Sequence, residues 1–134
     1  MTSEKWLYIL IILLIFNYIF STVLEYINDK NWNDKIPNQL KNYYSKEKYL
    51  KARDYKKEHG KLSFYSSSLS AIITLLLLVF GIYGWISDYF IKNYENLFIQ
   101  SGLFFLSFYF LNTIISIPFQ HYSTFYIEEK FGFN

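Results

Sequence analysis

Two histidines supply all the imidazole in this chain, and they stand in unlike settings. His59 lies among lysines, which disfavour a metal cation, whereas His121 follows Pro118 and precedes the paired acids Glu128 and Glu129. Imidazole and carboxylate are zinc-ligand types, and His121 to Glu128 is an i,i+7 spacing that shares one face of a helix. No second imidazole is near, however, and adjacent acids at the end of a hydrophobic block are ordinarily solvated charges. The sequence has no HExxH, no glycine-rich phosphate loop, no CxxC and no GxSxG, so the usual patterns for metal-assisted hydrolysis, phosphoryl transfer and acyl transfer are missing. It has no cysteine, which removes disulfides and thiolate metal sites. On this basis no residue is assigned as catalytic, cofactor-binding or metal-ligating. Asn17 and Asn112 raise a different question. Both lie deep in uncharged blocks, where an unpaired amide is costly, so each is expected to face protein or a water-filled cavity, with interhelical hydrogen bonding as the ordinary explanation.

The elements that hold these residues are long apolar blocks. In a chain of 134 residues with 52% hydrophobic and 23% aromatic side chains, the apolar residues are concentrated instead of recurring periodically, which suits lipid better than a small soluble core. Residues 6–24 carry no charge. A helix rising about 1.5 Å per residue needs about 20 such residues to cross a hydrocarbon core of about 30 Å. The competing reading of this block, a cleaved signal peptide, lacks a small-residue cleavage site between Phe20 and Glu25. A second uncharged block covers 62–86, with Ser63, Ser67 and Ser70 on one helical face where a neighbouring helix can approach closely. The third runs free of Asp, Glu, Lys and Arg between Asn96 and Ile127, too long for one straight crossing, and Pro118 is expected to end the span and bend the chain. The expected architecture is therefore all-α, with three transmembrane helices at about 6–27, 62–86 and 97–117 and an interfacial segment after Pro118.

Charge sets the expected orientation. The stretch 27–61 holds ten basic residues against five acidic ones, while the connection carrying Asp88, Lys92 and Glu95 has no basic surplus. The positive-inside rule then places the loop 28–61 in the cytoplasm and the N-terminus outside. That loop is expected to be helical in part, from the spacing of Leu40, Tyr43 and Tyr44 after Pro37 and of Tyr49, Ala52 and Arg53 further on. A basic, Tyr-rich helix beside a membrane can recognise anionic lipid or a substrate tail, but the preferred reading is a solvated connector whose lysines only fix topology, since orientation alone accounts for the charge excess. A formal net charge of +2 gives no reason to expect nucleic acid as a partner.

The tail from Pro118 to Asn134, with Tyr122, Thr124-Phe125, Ile127-Glu128-Glu129 and Gly132-Phe133-Asn134, resembles a signature of the CAAX prenyl protease family of integral-membrane zinc metalloendopeptidases. Ile36-Pro37-Asn38-Gln39-Leu40 and the segment from Glu47 to Tyr55 are similar to that family's first loop. The resemblance implies an N-terminal membrane region that helps wall a large internal chamber. It also implies a catalytic part, with zinc held by an HExxH helix and a later Glu, outside these 134 residues. The chain is accordingly expected to be an N-terminal membrane scaffold fragment of such an enzyme, inactive alone, with the bilayer and the catalytic remainder as partners and peptide or protein substrate only in a complete enzyme. The alternative is a small non-catalytic membrane protein that binds a partner or anionic lipid. A bacterial plasma membrane is preferred over the endoplasmic reticulum, although the many Lys, Asn, Ile and Tyr residues, which point to an AT-rich coding sequence, do not separate the two.

Overall fold

In the computed structural model, residues 3–32, 35, 36 and 45–133 are described, and all their regular structure is helical. Pro37, Leu40, Tyr43 and Tyr44 lie outside the described residues. The first apolar block forms α1 (Ser3–Asn31), which continues past the uncharged stretch into its polar end. The basic half of the loop and the second apolar block are one continuous helix, α2 (Lys46–Val79), opened by Ser45, whose hydroxyl accepts the Lys48 N–H at 3.3 Å. At about 1.5 Å per residue this helix is about 51 Å long, enough to cross a bilayer core and project well beyond it. Its uncharged part, 62–79, is the stretch suited to lipid, and its charged part, 46–61, is the half that projects from it.

The stretch 62–86 is not a single helix. α2 stops at Phe80, and Gly81 takes the left-handed conformation at φ 67°, with its N–H donating to the Leu78 carbonyl. Only glycine adopts that conformation without a Cβ penalty, which explains why the break falls there. Residues 82–93, expected to lie mostly in a connection, form α3 (Ile82–Asn93), which packs on α4 (Leu97–Tyr122) through Tyr83 against Phe104 and Phe108. Asn96 caps α4 by accepting the Phe98 and Ile99 N–H groups.

Pro118 does not end the third helix. α4 runs through it to Tyr122, continues as a π turn (Ser123–Ile127) and finishes as α5 (Glu128–Phe131). A proline removes one N–H from the ladder, here the one that would reach the Ile114 carbonyl, and away from water the remaining bonds have no competitor. The end is closed by Gly132 at φ 67°, with Gly132 donating to Glu129 O and Phe133 to Glu128 O in a Schellman arrangement.

α2 is the central element, touching α1, α3, α4 and the π turn. α1 runs antiparallel to it, since Tyr18 meets Ser68 while Asp29 meets Lys56. Ser68 gives its proton to the Phe64 carbonyl at 2.7 Å, so Tyr18 donates to Ser68 at 2.6 Å. Gly60 neither ends nor interrupts α2. A Cβ there would stand 3.0 Å from Asp29 Oδ2, so the glycine permits the close approach of the two helices at that level.

The molecule exposes 10716 Å², whereas a compact water-soluble monomer of this mass would expose about 7,500 Å². The excess is largely apolar and aromatic, including Tyr8, Leu13 and Phe16 on α1 and Phe105, Tyr109 and Ile114 on α4. Such surface is stable against hydrocarbon and unstable against water. Three helices, α1, α2 and the run from α4 to Phe131, are long and apolar enough to cross a membrane.

Candidate functional site

The projecting half of α2 presents two faces. Tyr49, Lys56 and Gly60, at i, i+7 and i+11, turn toward α1, while Lys51, Tyr55 and Glu58, at i, i+4 and i+7, turn toward the tail. On the first face Trp32 stacks on Tyr49 with ring planes 5° apart, and the Lys56 ammonium lies 4.9 Å from the Trp32 ring centre and 3.9 Å from Asp29. This holds the end of α1 against the base of α2.

The second face carries the denser constellation. Tyr55 donates its hydroxyl to Glu128 Oε1 at 2.8 Å, and its ring meets Phe131 and Phe133 edge-on. Lys130 reaches Glu58 at 3.5 Å, Lys61 reaches the same carboxylate at 3.3 Å, and Lys51 lies 5.2 Å from the Phe133 ring centre. The π turn and the Schellman end are the devices that aim these groups. The wider turn, closed by the Glu128 N–H on the Ser123 carbonyl, breaks the 3.6-residue phase just before Glu128, and Gly132 folds Phe133 back onto Tyr55. Ile127, within the π turn, has no exposed surface, and Phe131 is also buried.

The electrostatics are those of a clamp. The Tyr55 hydroxyl is pushed above its ordinary range, first by its hydrogen bond to Glu128 and then by burial and the charge of that carboxylate. Glu58 is held below the usual carboxylate range, chiefly by the Lys61 hydrogen bond, with burial opposing and Lys130 assisting. Neither arrangement joins a nucleophile to a base.

The metal combination weighed from the sequence is not gathered. His121 packs on the Phe125 ring at 4.5 Å, Glu128 is engaged by Tyr55, and Glu129 is exposed, because the π turn takes the two acids out of phase with the histidine. Among the described residues no group of three His, Cys, Asp or Glu side chains is placed to hold a metal ion. His59 packs against Tyr55 with the two rings tilted by 60°, its Nε2 buried and unpartnered among the described residues. Asn112 is satisfied inside its own helix, donating to Phe108 O at 2.9 Å, which corrects the expectation of an interhelical bond. Asn17 lines a groove between α1 and α2 of about 350 Å³, together with Ser63, Ser67 and Ser70. The serine face therefore does meet a neighbouring helix, although the direct bond across it comes from Ser68.

Spacing does not reveal the Tyr55–Glu128 pair, since its members are 73 positions apart. Its only signal was that both belong to segments carrying the family resemblance, and the structure packs those two segments together.

Comparison with known proteins covers both segments. The family described as "CAAX prenyl protease N-terminal, five membrane helices" matches residues 25–134. Among curated relatives, a CAAX prenyl protease 1 homolog of Caenorhabditis elegans is 33% identical over 100 residues, covering 75% of this chain and 22% of that protein. The homologs of Mus musculus and Dictyostelium discoideum are 31% and 29% identical, covering 75% of this chain and 22% and 25% of their own lengths. The chain thus spans about a quarter of the relatives it matches. No solved structure matches it. Together with three helices able to cross a bilayer, the match makes this an integral, multi-pass membrane protein homologous to the N-terminal membrane portion of those proteases. The chain belongs to the CAAX prenyl protease N-terminal family.

Proposed function

We propose that the chain is the N-terminal membrane scaffold of a CAAX prenyl protease-like zinc metalloendopeptidase, contributing to the wall of its chamber, while hydrolysis is carried out by residues outside these 134. The observation that carries the reading is the clamp of Tyr55 on Glu128, which ties the basic projection of α2 to the tail and makes the two family-like segments one unit. A scaffold needs that fixed geometry, and the absence of an HExxH pair leaves the chain without the zinc and general base of a metallopeptidase. Its partners are the bilayer and the catalytic remainder, and peptide or protein substrate belongs to the complete enzyme. Membranes carrying residues 1–134 alone are expected to leave a peptide substrate uncut. Membranes carrying the same residues in place of the matching N-terminal region of the Caenorhabditis elegans homolog are expected to cut it in a chelator-sensitive way. Chelator-sensitive hydrolysis by residues 1–134 alone, or a well-expressed chimera that does not cut, would overturn the proposal.

The orientation that goes with this reading puts the N-terminus outside and the projection of α2 in the cytoplasm, supported by the basic surplus of 27–61. Because the chain has no cysteine, single-cysteine variants report topology without background. In sealed cells Asp54→Cys is expected to stay unlabelled by a membrane-impermeant maleimide until the cells are opened, and Asp88→Cys to be labelled at once. The reverse pattern would invert the topology.

A further inference from the structure

Where α1 leaves its uncharged stretch, its first charge is Glu25; where α2 enters its own, its last charge is Lys61. These two positions face each other across a groove of about 310 Å³ between the helices, which Tyr26, Asp29, Lys57 and Tyr65 also line. The groove therefore sits at the depth where hydrocarbon gives way to headgroups. Both acids stand on α1 and both lysines on α2, so opposite charges line opposite walls.

Those charges do not satisfy one another. Among the described residues, neither Glu25 nor Lys57 has an ionic or hydrogen-bonding partner, although Glu25 is half-buried. Among the described residues the Asp29 side chain has only the Lys56 ammonium at 3.9 Å, beyond hydrogen-bond reach, and Lys61 shares Glu58 at 3.3 Å. A half-buried carboxylate without a donor is a costly arrangement unless something supplies one. The tyrosines beside it, Tyr26 and Tyr65, are largely exposed and offer the amphipathic rings common at a membrane interface.

We propose that this groove binds a phospholipid with a primary-amine zwitterionic headgroup, of the phosphoethanolamine type. Its phosphate lies toward Lys57 and Lys61, its ammonium donates to Glu25 and Asp29, and its glycerol and acyl start lie against Tyr26 and Tyr65. An anionic headgroup would satisfy the lysines and leave the acids repelling it. A choline headgroup carries the matching charge but no N–H to donate to the carboxylates. The site is independent of whether the chain serves a protease.

The test uses the full chain in detergent micelles with an equimolar mixture of dioleoyl phosphatidylethanolamine, phosphatidylcholine and phosphatidylglycerol, with bound lipid read by native mass spectrometry. Phosphatidylethanolamine adducts are expected to exceed each of the others roughly five-fold. Glu25→Gln combined with Asp29→Asn should bring ethanolamine and choline lipids to parity, Glu25→Asp should keep the preference, and Lys57→Met should weaken all three together. Helicity and melting in the same micelles establish that each variant is folded. Equal adducts in the parent chain, dominance of phosphatidylglycerol, or a preference that survives the combined Glu25→Gln and Asp29→Asn change in a folded variant would overturn the proposal.

Discussion

Replacing Ile127 by alanine is expected to lower the stability of the folded chain by about 3 kcal/mol, and replacing it by valine by about 1 kcal/mol. Ile127 has no exposed surface and sits in the π turn where the tail meets α2. Most of this protein's large apolar side chains face outward, so removing methyl groups from them leaves no internal cavity. At Ile127 alanine leaves a void between two elements already committed to a fixed geometry by the Tyr55–Glu128 bond and the Phe133 contact. The void is felt because the π turn cannot close on it without shifting Glu128 off Tyr55. The measurement is reversible unfolding in mixed micelles, followed by far-ultraviolet circular dichroism, with Ile114→Ala as the comparison, since Ile114 is exposed on α4. Ile127→Ala should shift the midpoint well beyond Ile114→Ala, and Ile127→Val should fall between them. If the two alanine variants shift equally, the tail does not dock on α2 as described.

The spans were legible because uncharged length is a property of contiguous residues, and lipid as solvent enforces it. What the sequence concealed were features that depend on backbone torsion or on distant partners. Gly81 reads as one small residue among several in 62–86, and only its positive φ makes it the end of α2. The charges at Asp88 and Lys92 suggested a connection, yet Tyr83 and Phe90 recur at i,i+7 and give α3 an aromatic side. Pro118 was expected to break the third helix because the rule for proline is drawn from helices in water, where a freed carbonyl has an easy alternative partner. The π turn, five residues further on, carries no residue signature of its own. Gly60 is explained only by Asp29, which lies on another helix. The candidate site was half visible. The residues of the clamp were all in segments already singled out, but one sequence cannot say that Tyr55 and Glu128 touch.

Leu13→Arg separates lipid from water as the medium of α1. Leu13 lies well inside the uncharged stretch 6–24 and is 56% exposed. On a water-soluble protein an exposed leucine can become arginine with a change of within about 0.5 kcal/mol, often with improved solubility. At the centre of a membrane helix the same change costs about 3 kcal/mol for insertion, because the guanidinium must leave water or drag water and headgroups inward. The sign of the practical effect is therefore opposite in the two media, which makes the substitution more telling than any loss of stability in a core. Expression with a C-terminal reporter, followed by carbonate extraction of membranes, is expected to show the parent chain in the pellet and Leu13→Arg sharply depleted there through degradation or failed insertion. Lys5→Arg, a charge already outside the apolar stretch, should behave as the parent. Should Leu13→Arg raise the amount recovered in the supernatant of intact, folded protein, α1 faces water, and the apolar surfaces of α2 and α4 would then need a protein cover instead of a bilayer.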